Sequence, residues 1–207
     1  MSRKSTYLIP SRTVTAEQEI KKSRFITTAG HASDKAAAMR FVESVRKEHP
    51  SAHHNCYAYI AGSPFDTTEI GFSDDGEVNG TAGKPILSVL QHKGIGEIVT
   101  VVTRYFGGIR LGTGGLVRAY TGSVTLALDV LPLKKLVTTK KAIITVPYQY
   151  ENAVRLALDK FNIAIEEAVY TDEVLIEAGI PEDTLDKLAD EIMNATRGAA
   201  RIKINKT

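Results

Sequence analysis

Hydrophobic and polar residues alternate along the C-terminal third of the chain in a pattern that predicts a complete small domain. KKAIITVPY is a predicted strand that ends at Pro147, and ENAVRLALDKF carries apolar residues at the i, i+3, i+4, i+7 spacing of a helix. IAIEEAVY and EVLIEAGI are two further predicted strands, EDTLDKLADEIM is a second helix, and ARIKI is a final strand. The order is βαββαβ, which is the split βαβ or ferredoxin-like arrangement.

The preceding residues predict a longer series of elements. RTVTAEQEI and KKSRFITTAGHA are predicted strands that could be continuous through a bend, and Ser33 or Asp34 can cap the helix DKAAAMRFVESVRKEH. HHNCYAYIAG is a predicted strand. FDTTEIGFSDDGE starts as another strand and ends in a polar loop, and AGKPILSVLQHKG is a short helix that tolerates Pro85 in its first turn.

The run EIVTVVTRYF is the most hydrophobic predicted strand, and its valines and isoleucines indicate a strand covered on both faces. The loop GGIRLGTGG then leads into the helix GLVRAYTGSVTLALDVL. Its apolar stripe predicts a core face, and Arg118 lies on the opposite side. The stripe consists of Leu116, Tyr120, Val124, Ala127, Leu128 and Leu131.

Charge and glycine are distributed unevenly and divide the chain into two predicted domains, 1–136 and 137–207. The first holds 17 Lys and Arg against 12 Asp and Glu, all five histidines and 14 of the 16 glycines, whereas the second holds 9 against 12. The boundary is expected near LPLKKLVTT, around Lys135. The predicted fold class is therefore α+β with two domains.

Composition limits the possible classes of protein. At 43% hydrophobic and 24% charged residues, the chain is predicted to be globular. We expect no membrane association and a cytoplasmic location, because no apolar run approaches the ~20 residues of a membrane span and no signal-peptide segment follows the N-terminus. Cys56, the single cysteine, cannot form an internal disulfide, in agreement with a reducing compartment.

The glycine-rich segment around RYFGGIRLGTGG does not match a known nucleotide-binding motif. GTAGKP fails the Walker A pattern because proline follows Gly83-Lys84, and GTGGLV fails the dinucleotide pattern because it ends in Val117. We therefore expect no cofactor. Glycine amides and a helix N-terminus nevertheless form an anion-binding concavity, to which nearby cations add charge. The candidate anion-binding residues are Arg104, Gly107, Gly108, Arg110, Gly112, Gly114, Gly115, Arg118 and Lys84. The alternative is that glycine only supplies positive φ in a tight turn.

Two further clusters invite a chemical interpretation. Asp74, Asp75 and Glu77 could hold Mg²⁺ or supply an acid and a base, or they could cap the helix at Ala82 and pair with Arg104 or Arg110. A nucleophile or a zinc site is suggested by His53, His54 and Cys56. In a strand only His54 and Cys56 point to the same face, two ligands do not make a zinc site, and no C-x-x-C is present. We expect no metal site and a structural role for Cys56.

Four motifs together resemble the signature of the YigZ/IMPACT family. They are SRFITTAG, HNCYAY, SDDGEVNGTAGKPIL and VTRYFGGIRLGTGGLVRAY, in the expected order over most of residues 20–125. The residues that match the family's motif loops include His54, Asn55, Asp74, Asp75, Glu77, Gly80, Thr81 and Gly83. Val78 departs from the pattern, since the family usually has proline there.

The resemblance implies an N-terminal IMPACT-type domain with the ribosomal protein S5 domain 2-type fold. It also implies a ferredoxin-like C-terminal domain similar to domain V of elongation factor G. Eukaryotic relatives regulate translation initiation through an additional domain, so their partner is not carried over to this chain. The family's loops have no agreed catalytic role.

Three functional hypotheses follow. The first is a translation-associated regulatory protein, more a binding protein than an enzyme, that contacts RNA or the ribosome through the basic glycine-rich loop without sequence-specific DNA recognition. The second is an enzyme that uses the Asp74, Asp75 and Glu77 loop on a phosphorylated small molecule. The third is a protein-binding regulator without chemistry. The sequence leaves all three open.

Overall fold

The computed structural model describes residues 5–65 and 69–205, which form two compact units. One unit comprises 7–136, and the other comprises 137–205 together with residues 5 and 6. Within the described ranges, no helix is both long and apolar enough to span a bilayer.

The first unit is built around a five-stranded antiparallel sheet. Its strands are β2 (Val14–Ile20), β3 (Ser23–His31), β4 (His54–Ile60), β5 (Ile70–Ser73) and β6 (Ile98–Tyr105). They lie in the order β2-β3-β6-β4-β5, so that β6, the most hydrophobic segment of the sequence, is the central strand. Its helices are α1 (Lys35–Glu48), α2 (Gly83–Lys93) and α3 (Thr113–Asp129).

Helices cover both faces of this sheet, as the apolar character of β6 predicts. On one face, Val42 of α1 packs in a cluster with Val99 and Val101 of β6. On the other face, Ile86 of α2 and Tyr120 of α3 share a cluster with Val102. Successive residues of a strand point to opposite faces, which is why β6 contributes to both clusters. The prediction of a strand covered on both faces is confirmed.

The segments β2 and β3 form a hairpin rather than one bent strand. Lys21 and Lys22 have φ of 47° and 65°, and the pairing runs from Val14 with Ala29 to Ile20 with Ser23. Two consecutive left-handed residues reverse the chain in a tight hairpin turn. The possibility of a continuous strand was therefore wrong, because Lys-Lys lacks the glycine or asparagine that normally signals such a turn.

The second unit has the predicted βαββαβ order. Its elements are β8 (Thr139–Val146), α4 (Glu151–Lys160), β9 (Ile165–Tyr170), β10 (Val174–Pro181), α5 (Leu185–Ala195) and β11 (Arg201–Ile204), with a short 3₁₀ turn at Tyr148–Tyr150. The antiparallel sheet has the order β11-β8-β10-β9. Alternate residues of β8 and β10 pack with the apolar faces of α4 and α5 in a separate core.

Two short strands were not predicted from the sequence. The strand β1 (Thr6–Pro10) pairs with β7 (Leu133–Val137) in a two-stranded sheet. All of β7 except Leu136 is exposed, and two of its five residues are lysines. The segment therefore lacks the hydrophobic pattern by which a strand is recognised, and its pairing depends on a partner more than 120 residues away in the chain.

Candidate anion-binding site

A cavity of about 470 Å³ lies where the glycine-rich loop meets the acidic loop in the first unit. The start of β4, the loop after β5, the end of β6 and the first turn of α3 all contribute to it. Its lining residues are His53, His54, Glu77, Val78, Arg104, Phe106, Arg110, Leu111, Gly112, Thr113 and Leu116. Two motif segments that are about 30 residues apart in the sequence thus share one concave surface.

The Asp74 carboxylate holds the acidic loop against the start of α2. Its Oδ1 accepts hydrogen bonds from the N–H groups of Ala82 and Gly83, and its Oδ2 accepts one from Gly80 N–H. A carboxylate at a helix N-terminus is favoured by the helix dipole and by the unpaired N–H groups there. The prediction that the acidic loop can cap the helix at Ala82 is confirmed.

The Asp75 carboxylate joins the loop to β4 and α1. It accepts a hydrogen bond from Asn55 N–H at 2.6 Å and forms an ion pair with Arg46 at 2.7 Å. The backbone carbonyl of Asp75 bonds to Nδ1 of His54, which fixes the orientation of that imidazole ring. The side chain of Asn55 in turn accepts a hydrogen bond from the Thr103 hydroxyl on the central strand.

The Glu77 carboxylate forms a buried ion pair with Arg104. This pairing was one of the roles proposed for the acidic loop as an alternative to metal binding or acid–base chemistry. Both side chains are 6% exposed. The Tyr120 hydroxyl donates a further hydrogen bond to Glu77 at 3.0 Å. Glu77 Oε1 also lies 3.9 Å from His54 Nε2. A buried charge is tolerated when it is paired and hydrogen-bonded in this way.

Cys56 is fully buried beside this network. Its thiol lies within hydrogen-bonding distance of the Asp74 carbonyl and of the Tyr120 hydroxyl. Burial raises the pKa of the Cys56 thiol to about 12, and burial also raises the pKa of Tyr120. A thiol that keeps its proton at neutral pH is a weak nucleophile. The geometry therefore agrees with the structural role predicted for Cys56.

The Arg104 guanidinium contributes to the base of the cavity and is not fully satisfied. It lies between the rings of Phe25 and Phe106, with its Cζ 5.4 and 5.6 Å from the two ring centroids. Its Nε is buried and has no hydrogen-bond partner among the described residues. Arg104 thus differs from the surface cation expected from the sequence, because the acidic loop covers it.

Phe106 forms an aromatic wall of the cavity and is 42% exposed. Its backbone N–H donates to His53 Nδ1 at 3.3 Å, and the two rings meet edge to face at 6.2 Å. Because His53 Nδ1 accepts this hydrogen bond, the proton of the neutral ring is on Nε2. An exposed phenylalanine held from below by an arginine is a rigid surface for another planar group.

Different structural constraints require glycine at different positions of the loop. A Cβ on Gly107 would lie 1.9 Å from the Lys22 carbonyl oxygen, so the loop can approach the β2–β3 hairpin only with glycine there. Gly108 and Gly112 have φ of 84° and 71°. Gly114 has neither constraint, because a Cβ there would meet only an Arg118 side-chain atom at 3.7 Å. The interpretation of glycine as a source of positive φ thus explains two of these positions.

The α3 helix begins at the cavity. Gly112 is its N-cap residue, and within residues 5–65 and 69–205 no side chain accepts a hydrogen bond from its first turn. The Leu116 N–H bonds back to the Gly112 carbonyl, so the N–H groups of the first turn before it are the ones that a helix leaves unpaired. Gly112 and Thr113 line the cavity, whereas Gly115 and Arg118 line a smaller neighbouring one of about 270 Å³.

Exposed cations surround the glycine-rich loop. Arg110 lines the larger cavity, and Arg118 shares the smaller one with Lys21. Lys22 lies against Gly107. Within residues 5–65 and 69–205, none of these four cations takes part in an ion pair. Lys84 is exposed at the start of α2 and lines neither cavity.

The structure therefore brings together most of the candidate residues, but with different tasks. The cavity is lined by Arg104, Arg110, Gly112, His54 and Glu77 and by the start of α3. The acidic loop is shaped instead by Asp74, Thr81 and Gly83. Thr81 does so through two hydrogen bonds to the Val78 carbonyl. Sequence reasoning missed the part played by Leu111, Lys21 and Lys22. The one available signal was the Lys-Lys pair between two predicted strands.

Comparisons with known proteins cover nearly the whole chain. A family model for the Impact N-terminal domain matches residues 21–128, and a model for a domain of unknown function, DUF1949, matches residues 144–199. The IMPACT family member YigZ of Escherichia coli (strain K12) is 42% identical over 95% of this chain and 97% of its own. An IMPACT family member of Haemophilus influenzae is 40% identical over 96% of both chains. A crystal structure of a hypothetical protein is similar with a TM-score of 0.68, at 40% identity, over 98% of each chain.

Proposed function

This chain belongs to the IMPACT family, and from that premise we propose that it is a translation-associated regulatory protein that binds RNA, free or on the ribosome. The contact surface is the basic end of the first unit, formed by the glycine-rich loop and the β2–β3 hairpin. Phosphates are bound there by exposed cations and by backbone N–H groups, without reading of base sequence.

The observation that carries this proposal is the group of cations around the loop. Lys21, Lys22, Arg110 and Arg118 come from two segments of the chain that the packing of Gly107 against Lys22 brings together. The acidic side chains of the neighbouring loop are directed to other groups, namely the start of α2, Arg46 and Arg104. Cations without acidic partners are available to neutralise phosphates.

Fold assignments support the same proposal at a coarser level. We propose that the first unit has the ribosomal protein S5 domain 2-type fold. The second unit has the ferredoxin-like fold, and its strand order β11-β8-β10-β9 supports that assignment. Both folds are similar to the last two domains of elongation factor G, which makes a ribosomal or RNA partner the natural expectation.

The enzyme hypothesis has less support from the geometry. Asp74 accepts three backbone hydrogen bonds, Asp75 pairs with Arg46, and Glu77 pairs with Arg104. Each carboxylate of the acidic loop is therefore engaged by a separate group, so that the three do not converge on one position. No observation favours the protein-binding hypothesis over RNA binding.

The proposal is tested by fluorescence-anisotropy titration of RNA at several salt concentrations. The probes are structured and single-stranded oligonucleotides with hydroxyl groups at both ends, so that only internal phosphates are offered. Arg118→Gln and Lys21→Gln should each lower the slope of log K against log[salt] by roughly 0.7 to 0.9. Sequence preference should not change.

Arg40→Gln is the matched control, because Arg40 is an exposed arginine on α1 of the same unit and its replacement removes the same charge. It should leave the salt slope unchanged. Sedimentation with purified ribosomal subunits extends the test to the ribosome. Wild-type protein that binds neither RNA nor subunits more tightly than about 10⁻⁴ M, the weak end of non-specific binding, would overturn the proposal.

A further inference from the structure

The larger cavity combines two kinds of surface that internal RNA phosphates do not require. Donors line one part of it, namely Arg110, the Arg104 side chain and the first turn of α3. The remaining wall consists of apolar Val78, Phe106, Leu111 and Leu116, together with His53, His54 and Glu77, whose carboxylate is paired with Arg104. At about 470 Å³, it falls in the range of pockets that enclose a small ligand.

Two independent observations indicate that the polar part is made for an anion. The first turn of the 17-residue helix α3 lies at the cavity, and no side chain in the described part of the chain caps its backbone N–H groups. Separately, Arg104 is 5% exposed and lines the cavity, and among the described residues its guanidinium donates a hydrogen bond only through Nη1, to Glu77. The Nη2 group of this nearly buried side chain therefore has N–H donors for an acceptor in the cavity, because buried donors are nearly always paired.

The apolar part suits a planar group. Phe106 is fixed by its N–H bond to His53 and by Arg104 beneath its ring, yet a large part of it stays exposed. Bases stack on such aromatic side chains whatever their sequence. A phosphate held at α3 and a base placed against Phe106 are the two ends of one nucleotide.

We infer that the cavity binds a single nucleotide through a terminal phosphate, with its base against Phe106. The inference rests on the proposed function and specifies the end of an RNA strand as the bound group, since a terminal nucleotide, which is tethered on one side only, can enter this partly open pocket more deeply than the middle of a strand can. A free mononucleotide has the same chemistry, and the experiment separates the two sources.

The experiment compares three versions of one short RNA by anisotropy, with a phosphate at the 5′ end, a phosphate at the 3′ end, or hydroxyl groups at both ends. At least one phosphorylated form should bind about tenfold more tightly than the hydroxyl form, which corresponds to one charge-assisted hydrogen bond. Adenosine monophosphate should shift the backbone amide NMR signals of Thr113 and Gly114. Ribose 5-phosphate should bind more weakly than adenosine monophosphate.

Thr113→Pro is the most selective variant, because proline is accepted at the first position of a helix and removes the backbone N–H there. It should abolish the advantage of the phosphorylated RNA, whereas Thr113→Ala, which keeps the N–H, should retain most of it. Phe106→Leu should weaken adenosine monophosphate more than ribose 5-phosphate. Arg40→Gln should behave as wild type, and thermal melting checks that each variant is folded.

The outcomes separate this inference from the proposed function. If all three RNAs bind equally well and adenosine monophosphate gives no shift, RNA binding stands and the cavity inference is overturned. If the hydroxyl RNA does not bind but adenosine monophosphate binds and Thr113→Pro abolishes this, the proposed function fails and the cavity is a mononucleotide site. Equal binding of ribose 5-phosphate and adenosine monophosphate would overturn the base contact with Phe106.

Discussion

Glu77 and Arg104 place opposite charges in a part of the protein that water hardly reaches. Each side chain is 6% exposed, and the Tyr120 hydroxyl donates to the same carboxylate. The free-energy cost of moving one of these charges from water into this site without its partner would be far larger than the cost of leaving a charge unpaired at the surface. The pair therefore fixes the acidic loop over the end of the central strand and holds Arg104 at the cavity.

Removal of one partner should be strongly destabilising. We predict that Glu77→Ala lowers the free energy of unfolding by about 3 to 5 kcal/mol, because the Arg104 charge is then buried without a partner. Glu43→Ala is the control, since Glu43 is 54% exposed and also pairs with an arginine, Arg46. Its cost should stay below about 1 kcal/mol. Urea denaturation measures both, and equal losses would contradict the prediction.

The buried thiol gives the stability a defined dependence on alkaline pH. The pKa of Cys56 is about 12 in the folded chain against an ordinary value of 9.0, and burial raises the pKa of Tyr120 as well. Above pH 9 the unfolded chain releases the thiol proton while the folded chain keeps it. Proton release therefore favours unfolding, and the stability that is fully present below pH 9 decreases as pH rises towards 12.

Cys56→Ala should remove part of this dependence. Between about pH 9 and 11, the wild-type free energy of unfolding should fall by up to about 1.4 kcal/mol per pH unit more steeply than that of the variant. Comparison with the variant cancels the contributions of the tyrosines that do not contact the thiol, whereas that of Tyr120, which bonds to Cys56, is included in the difference. Urea titrations at a series of pH values measure the difference, and parallel curves would show that the thiol does not contribute.

At the scale of elements, the glycine-rich loop joins the central strand to α3 and rests against the β2–β3 hairpin. The contact between Gly107 and the Lys22 carbonyl sets how closely these elements approach. The same contact determines where Lys21 and Lys22 lie relative to Arg110. A change in the loop therefore alters both the packing of the sheet edge and the proposed RNA surface.

Two glycines of this loop should respond to alanine in opposite directions. Gly107→Ala should destabilise the protein by about 2 to 3 kcal/mol, because the Cβ would collide with backbone atoms that cannot move without shifting the hairpin. Gly114→Ala should stabilise it by about 0.5 to 1 kcal/mol, because the helix there has room for a methyl group. Thermal melting of the two variants measures both effects. Destabilisation by Gly114→Ala would mean that α3 does not begin where it is described.

At the scale of the whole molecule, each unit has its own core. The clusters on both faces of the five-stranded sheet lie entirely in 7–136, and the cluster of the second unit lies entirely in 137–205. The excess of positive charge belongs to 1–136, whereas the remainder is acidic. The first unit should therefore fold without the second, and the proposed RNA binding should be a property of the first unit.

We predict that residues 1–137 fold alone and keep the RNA affinity of the full chain within about threefold. This fragment ends after β7, so the pairing of β7 with β1 is retained. Circular dichroism and a cooperative thermal transition test folding, and anisotropy tests binding. A fragment without a cooperative transition would show that the first unit needs the second in order to fold. Such dependence is not expected of units with separate cores.

Most of the architecture was present in the sequence because it depends on local periodicity. The period of α3 assigned Leu116, Tyr120 and Val124 to the core and Arg118 to the surface, and these positions are buried and exposed accordingly. The alternation in β8 and β10 likewise predicted the second core. Strand β7 was missed because its stability comes from a distant strand rather than from its own pattern.

The sequence by itself determined which residues are charged, flexible or apolar, and hence most of the secondary structure, the two units and the small set of candidate residues. Only the tertiary structure decided what those residues do. In the folded chain, the Asp74 carboxylate caps the N-terminus of α2, Arg104 is buried in an ion pair with Glu77, and the Lys21-Lys22 turn lies beside the glycine-rich loop. The physical reason is that ion pairing, burial and close backbone approach depend on distances across the fold. Those distances join segments that are tens of residues apart, and no local pattern encodes them.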